Sequence, residues 1–269
     1  MRKICLIAGK GRLPEIIASD ARSQGYTVFI IALEPLAERS LYSSGDNIKW
    51  INIGKFGEII ETLKKYDVRE AIMAGKVPKT VLYKSNIVPD IRALKLLFSL
   101  KDRNDDSILK AISKELKKEG IKLLDVTTFS SNLLTPEGIL TKDRPSNEEW
   151  KDISFGWKVA KEIGKLDIGQ TVVVKNQAVM AVEAIEGTDE AIRRGGRLAG
   201  KGAVVVKISK PHQDMKLDVP VIGIDTVTVM AEVSARVLSL EAKKSIILDK
   251  DAVIEKSNKE GISVVGYTE

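Results

Sequence analysis

The chain has 269 residues, of which 43% are hydrophobic and 30% charged; that is enough for one large or two ordinary soluble domains, and it excludes a disordered chain. Aromatics at 5% and a single cysteine exclude stacking platforms for single-stranded nucleic acid, a disulfide framework and a cysteine-rich metal site. The formal net charge of +6 suits anionic ligands, an anionic membrane surface or simply a lysine-rich soluble surface, and no basic tract or motif points to DNA or RNA.

"MRKICLIAGKGRLP" lacks the apolar length and small-residue cleavage site of a secretory signal and reads as a first strand, with Cys5 a small buried hydrophobe. No later run reaches transmembrane length, so a cytosolic protein is expected. Helical spacing follows in "LPEIIASDARSQG", with Gly25 as its C-cap. "YTVFIIAL" and "NIKWINIG" read as strands, "EIIETLKKY" as a helix, and "EAIMAGKV" as a strand ending in a glycine turn. "DIRALKLLFSLK" and "DDSILKAISKELKKEG" read as helices and "KLLDVTTF" as a strand. Alternation of this kind with continuous aliphatic strands implies a parallel sheet covered by helices, a fold of the α/β class.

Two glycine turns stand out in this half. In "AGKGRLP", Gly9 and Gly11 permit close backbone approach and Pro14 suits a first helical turn. The helix start, with Arg12 and Leu13, then offers N–H groups to a phosphate. Gly75 and Lys76 end the fourth strand on the same carboxyl edge, where open parallel sheets bind ligands. These residues are the expected nucleotide side of a substrate site. Glu34 lies roughly 20 residues past Gly11, near the spacing at which an acid meets a ribose hydroxyl, but the dinucleotide fingerprint lacks its third glycine.

Residues 135–147 gather Pro136, Gly138 and Pro145 and read as a linker between a domain of residues 1–134 and one of 148–269. Beyond it come a helix, "EEWKDISFGWKVAKEIG", and two strands around a Lys175–Asn176 turn. A helix "TDEAIRRGGRLA" and a strand "GAVVVKIS" follow. The end reads as a helix "TVTVMAEVSARVLSLEA" and strands "SIILD" and "GISVVGY". Gln177 and Glu183 fall on or beside strands. Thr188 or Asp189 is placed to cap the helix after Gly187, while Arg193 and Arg194 are either solvated or an anion clamp.

"KPHQDMKLDVPVIGID", residues 210–225, concentrates the remaining polar chemistry. Asp225 interrupts an apolar segment where a strand meets a helix, so it is either a helix cap or a carboxylate at a strand end. Gln213, Asp214 and Asp218 precede it, and grouped carboxylates can hold a hard divalent cation and position water on phosphorus. His212 is the only histidine.

Three segments, "AGKGRLP", "VEAIEGTDEAIRRGG" and "KPHQDMKLDVPVIGIDTV", resemble the LpxI family of UDP-2,3-diacylglucosamine pyrophosphatases, in order and over nearly the whole chain. The family pattern generally has glycine where this chain has His212 and arginine where it has Lys216. The resemblance implies a Rossmann-like amino-terminal domain and a distinct mixed α/β carboxy-terminal one. It also implies hydrolysis of UDP-2,3-diacylglucosamine to UMP and 2,3-diacylglucosamine 1-phosphate in lipid A assembly, supported by Mg²⁺. On that reading Asp225, Asp214, Gln213 and Lys210 carry catalysis, with Asp225 and Asp214 as metal ligands. Gly9, Gly11, Arg12, Leu13, Pro14, Gly75 and Lys76 contact substrate from one domain, and Gln177, Glu183, Thr188 and Asp189 from the other. The acylated UDP-sugar implies a cytoplasmic enzyme that transiently visits the inner membrane, and a homo-oligomer is compatible with this. An NAD-dependent oxidoreductase and a non-catalytic nucleotide- or lipid-binding protein are the rival readings.

Overall fold

A computed structural model describes residues 2–78, 87–100, 105–211 and 213–269; His212 lies outside them. The chain divides into two compact units, residues 1–131 with 214–218, and residues 132–213 with 219–269.

The first unit is built on β1 (Arg2–Ala8), β2 (Tyr26–Glu34), β3 (Asn47–Asn52), β4 (Glu70–Ala74) and β5 (Lys122–Leu123). All its pairings are parallel, in the order β3-β2-β1-β4-β5. Continuous apolar runs form these strands because both faces are covered. Cys5 and Ile7 of β1 join Phe29 and Ile31 of β2 in one cluster with α2 (Phe56–Lys65), α3 (Ile91–Phe98) and α4 (Asp105–Lys118). Ile4, Leu6 and Ala8 are buried on the alternate face. The buried stripe of α1 (Leu13–Ser23), Ile17, Ala18 and Ala21, is absent from that cluster and covers the alternate face. Burial pushes the Cys5 thiol well up and keeps it protonated, which fits a packing residue. Helix α1 ends as expected, with Gly25 in the left-handed region (φ 82°) and its N–H on Arg22 O at 2.9 Å. The short segment 214–218 belongs here through Leu217, which packs on the core, and Met215 O, which accepts from Val126 N at 3.2 Å.

The second unit holds a six-stranded sheet in the order β6-β13-β11-β9-β7-β8, formed by β6 (Gly138–Ile139), β7 (Thr171–Lys175), β8 (Ala178–Val182), β9 (Val204–Lys207), β11 (Val237–Glu241) and β13 (Ser263–Tyr267). Strands β9, β11 and β13 are parallel; the β7–β8 hairpin and β6 are antiparallel additions at the two sides. Helix α5 (Asn147–Lys165) covers one face through Ile153, Trp157 and Ala160 against Val172, Val174, Val204 and Val206. On the other face Val173, Val205 and Leu238 pack with α6 (Thr188–Ala199), α7 (Ile224–Glu232) and α8 (Lys250–Lys259). β10 (Val221–Ile222) and β12 (Ile246–Ile247) form a small parallel pair.

Four expectations change. Residues 135–147 are built into the second unit, because β6 pairs with β13 and Thr135 is buried on Ser245. The helix expected through residue 242 stops at Glu232: Ser234 takes φ 54°, and the chain re-enters the sheet as β11. Helix α8 is an element the apolar pattern did not show. The hairpin turn is Asn176–Gln177, both at positive φ, with Lys175 already paired to Ala178.

The two glycine turns of the first unit are locked together. Gly9 N donates to Ala74 O at 2.8 Å, and Lys10 and Lys76 exchange backbone hydrogen bonds at 3.0 and 2.8 Å. A Cβ on Gly75 would lie 2.8 Å from the Gly9 carbonyl carbon, at a φ of 91°. Gly75→Ala therefore combines left-handed strain with a backbone clash, whereas Gly25→Ala meets open space and carries the strain alone. Urea denaturation should show a loss of about 1–2 kcal/mol for Gly25→Ala and a clearly larger one for Gly75→Ala; equal losses would refute the interlock.

Candidate functional site

Strand order places a reversal between β1 and β4: β2 and β3 extend the sheet to one side, β5 to the other. The crevice of an open α/β sheet lies at such a point, at the carboxyl ends of the strands. Both glycine turns sit there. Lys10, Arg12 and Lys76 are exposed on them, and α1 begins without a side-chain cap. Gly11 (φ 98°) faces open space, so its glycine is required by backbone conformation. Leu13 and Pro14, expected to touch substrate, have buried side chains on the inner face of α1. Lys10 is the residue missed here; its signal was its place between the two glycines.

The second unit gathers charge at the carboxyl edge of β9 and β11. Glu183, just beyond β8, and Lys207, the last residue of β9, are both buried. The Lys207 ammonium donates to Thr188 Oγ1 at 2.6 Å, and that hydroxyl donates to Glu183 Oε1 at 2.8 Å. Burial alone pushes the Glu183 carboxyl up. That is the largest single effect, but the Lys207 charge and the hydroxyl and Gln170 N–H hydrogen bonds together outweigh it, and the net shift is down. Gly169 leaves room for this arrangement, since a Cβ there would overlap Glu183 O at 2.0 Å.

Thr188 and Asp189 do not cap α6. Its N-cap is Gly187, with no side-chain cap. Thr188 bridges the buried pair, and Asp189 Oδ1 accepts from Thr226 Oγ1 of α7 at 3.1 Å. That bond joins the first turns of the two helices. Asp225, the neighbour of Thr226, is not a cap either: Gly223 is the N-cap of α7. Asp225 is exposed, and its carboxylate has no hydrogen-bond or ion-pair partner among the described residues.

The other three expected catalytic residues are placed differently. Lys210 is buried in an ion pair with Asp167, so its charge is already neutralised. Gln213 Oε1 accepts from Lys210 N at 2.8 Å and Ser209 Oγ at 3.1 Å, which pins the exit from β9. Asp214 belongs to the first unit and accepts from Lys216 N at 3.0 Å, bracing its own turn. Gln177 sits in the hairpin turn, with Asn176 N and Gln177 N donating to Asp152 at 3.0 and 2.5 Å. Glu183 is at the opposite end of that hairpin, beside Thr171. Arg193 and Arg194 are engaged by Glu190, Glu232 and Glu186. A further buried carboxylate, Glu241, was missed: it accepts from Lys161 Nζ at 2.6 Å and Ser209 N at 2.8 Å.

Among the described residues no group of three His, Cys, Asp or Glu is gathered to hold a metal ion. The free oxygens at the joined helix starts belong to Asp225 and Asp189. That donor set fits a hard ion completed by water and a ligand's phosphates, the usual habit of Mg²⁺, and not an all-protein cage.

Two α/β units, each with polar groups collected at the carboxyl edge of its parallel strands, define the class of protein. Residues 3–133 match the LpxI N-terminal domain and residues 136–265 the LpxI C-terminal domain. The UDP-2,3-diacylglucosamine pyrophosphatase LpxI of Caulobacter vibrioides is 35% identical over 279 residues, covering 99% of this chain and 98% of that one. The chain belongs to the LpxI family. Likeness to solved structures is weak and carries no argument. UDP-glucose 4-epimerase from Brucella ovis is 15% identical at a TM-score of 0.29, over 42% of this chain and 33% of that one. Glycinamide-RNase-transformylase T from Mycobacterium tuberculosis is 11% identical at a TM-score of 0.26, over 68% and 44%. This chain thus spans less than half of either.

Glu183→Gln would leave the Lys207 ammonium buried without its counter-charge. Such a loss costs about 3–5 kcal/mol. Because the folded carboxyl titrates below its unfolded value of about 4.3, its stabilisation is complete above that value and disappears as pH falls through the depressed one. Urea denaturation should show the full gap between wild type and Glu183→Gln at neutral pH, narrowing below about pH 4. A gap that does not vary with pH would contradict the charged pair.

Proposed function

We propose that the protein hydrolyses the pyrophosphate bond of UDP-2,3-diacylglucosamine, releasing UMP and 2,3-diacylglucosamine 1-phosphate for lipid A synthesis. The observation that carries this reading is end-to-end similarity to the Caulobacter pyrophosphatase at 35% identity. The exposed, unpartnered Asp225 at the joined starts of α6 and α7 supports it.

Hydrolysis requires a water oxygen to bond to phosphorus while the bridging P–O bond breaks and the bridging oxygen leaves with the electron pair. The water must also lose a proton. In this proposal one Asp225 carboxylate oxygen orients the water and takes that proton, since no described residue engages the carboxylate. Asp189 holds α7 in place through Thr226 and so fixes where Asp225 stands. The uncapped N–H groups behind Gly187 and Gly223 favour phosphate oxygens at the same helix starts. On the first unit the exposed Lys10, Arg12 and Lys76 at the glycine turns suit an anionic group such as a phosphate.

Asp225 and Asp189 are the residues that would hold Mg²⁺; Asp214, the other ligand expected from the sequence, braces its own turn in the first unit. The ion would neutralise phosphate charge as it builds up on the oxygens. Lys210 is removed from this role by its pairing with Asp167. No described helix is long and apolar enough to cross a membrane, so an acylated substrate is met at a membrane surface or as a dispersed lipid.

Purified protein incubated with UDP-2,3-diacylglucosamine and Mg²⁺ should yield UMP and the lipid monophosphate, and chelation should stop turnover until Mg²⁺ is restored. Asp225→Asn should lower single-turnover rates by roughly 10²–10⁴. Its melting temperature should stay close to wild type, because the side chain is exposed and makes no hydrogen bond among the described residues. Near-normal turnover in this variant would remove Asp225 from the mechanism.

A further inference from the structure

Helix α3 has two apolar faces. Ala93 and Leu96 are buried in the first unit's core, and Arg92 turns sideways to Glu115 and Glu119 of α4 and its end. Ile91, Leu94, Lys95 and Phe98 follow at i, i+3, i+4 and i+7 and so share the opposite face. That face is in water: Ile91 is 73% and Phe98 85% exposed. An outward stripe of large apolar residues beyond what the core needs marks an interaction surface.

Charge identifies its partner. Acidic groups beside the stripe are occupied, Glu119 by Lys64 and Arg92, and Glu115 by Lys118 and Arg92. Lys95 and Lys114 are exposed and have no carboxylate partner among the described residues. With Arg92, Ser99, Glu115 and Lys118 they line a groove of about 650 Å³ between α3 and α4, to which Ile91, Leu96 and Ala111 give the apolar part of the wall. An apolar floor with cations at the rim complements acyl chains beneath anionic headgroups. Symmetric pairing with a second copy would instead bring Lys95 and Lys114 against their own kind.

We propose that the outer face of α3 docks the protein on an anionic lipid bilayer. Ile91, Leu94 and Phe98 enter the headgroup–acyl boundary, and Lys95 and Lys114 stay with the lipid phosphates. Interfacial helices bury their apolar faces about 5–10 Å in this way. This inference draws on the proposed acylated substrate, but the surface itself is read from α3 and the adjoining side of α4 and involves no group of the catalytic proposal.

Cosedimentation of the full chain with vesicles of phosphatidylcholine, with and without phosphatidylglycerol, tests it. Wild type should bind the anionic vesicles, and high salt should weaken that binding. Ile91→Ser with Phe98→Ser should weaken it on the order of tenfold or more, through lost apolar burial. Lys95→Glu with Lys114→Glu should do the same for anionic vesicles by charge. Both pairs are exposed, so unchanged melts are expected and certify the comparison. Equal binding by both variants, or wild type left in the supernatant, overturns the proposal. So does a fall in mass by sedimentation velocity in the serine variant without lipid, since that assigns the face to self-association. Turnover of detergent-dispersed substrate, measured alongside, keeps the readings apart: lipid binding without turnover would strike the catalytic proposal and leave the docking face standing.

Discussion

The contact between the Lys207 ammonium, the Thr188 hydroxyl and the Glu183 carboxylate is the interaction on which the second unit's site depends. Lys207 ends a strand whose other residues are valines buried on both faces, so its charge could not stay there unmatched. Glu183 supplies the match from the neighbouring hairpin, and Thr188 completes it by accepting from one and donating to the other. Replacing such a pair with apolar residues is often neutral for stability, so its value here is positional. It ties the first turn of α6 to the exits of β8 and β9. The Asp189–Thr226 bond then hands that position on to α7. Asp225 inherits its place from this chain of contacts without making one itself.

The first unit solves the same problem by steric means. Backbone at the ends of β1 and β4 must pass within contact distance to close the turn pair, and Gly9 and Gly75 allow it because neither has a Cβ to accommodate. The interlock aligns Lys10 and Lys76 at the point where the sheet reverses its strand order. Glycine is therefore structural at two of the three positions where the sequence pointed to ligand approach; at Gly11 it is a matter of φ.

Legibility followed burial. Strands β1, β2, β7 and β9 were plain because a run of valine, isoleucine and leucine covered on both faces has few alternatives in a soluble α/β chain. Helix α8 was missed because "KDAVIEKSNK" buries little beyond Val253 and Ser257, leaving a weak apolar period. The overlong helix before β11 arose because a serine in the left-handed region is not a break that sequence announces; glycine or proline would have been. At the site, Asp225 was legible as an acid interrupting an apolar segment. Lys207 carried the same signal, a lysine closing a run of buried valines, and reading charged residues in such runs as half of a pair would have found it and Glu183 together. Gln177 misled because β8 begins one residue later than its polar neighbours implied.

The distribution of positive charge then bears on the chemistry. In the proposed site a pyrophosphate would bring negative charge to the joined starts of α6 and α7, where Asp189 and Asp225 are already acidic. Three lysines of the second unit are already committed: Lys161 is held by Glu241, Lys207 serves Glu183, and Lys210 is paired with Asp167. Helix N–H groups offset part of the repulsion, each end amounting to about half an elementary charge. The remainder calls for a mobile cation, and this is the physical reason for proposing Mg²⁺ in a site with two free carboxylates among the described residues. An arrangement with too few ligands to hold the ion alone, and too much negative charge to hold the substrate alone, makes the binding of each depend on the other. Magnesium affinity should therefore rise when an uncleaved pyrophosphate analogue is present, and titration calorimetry with and without that analogue would show whether the two are coupled.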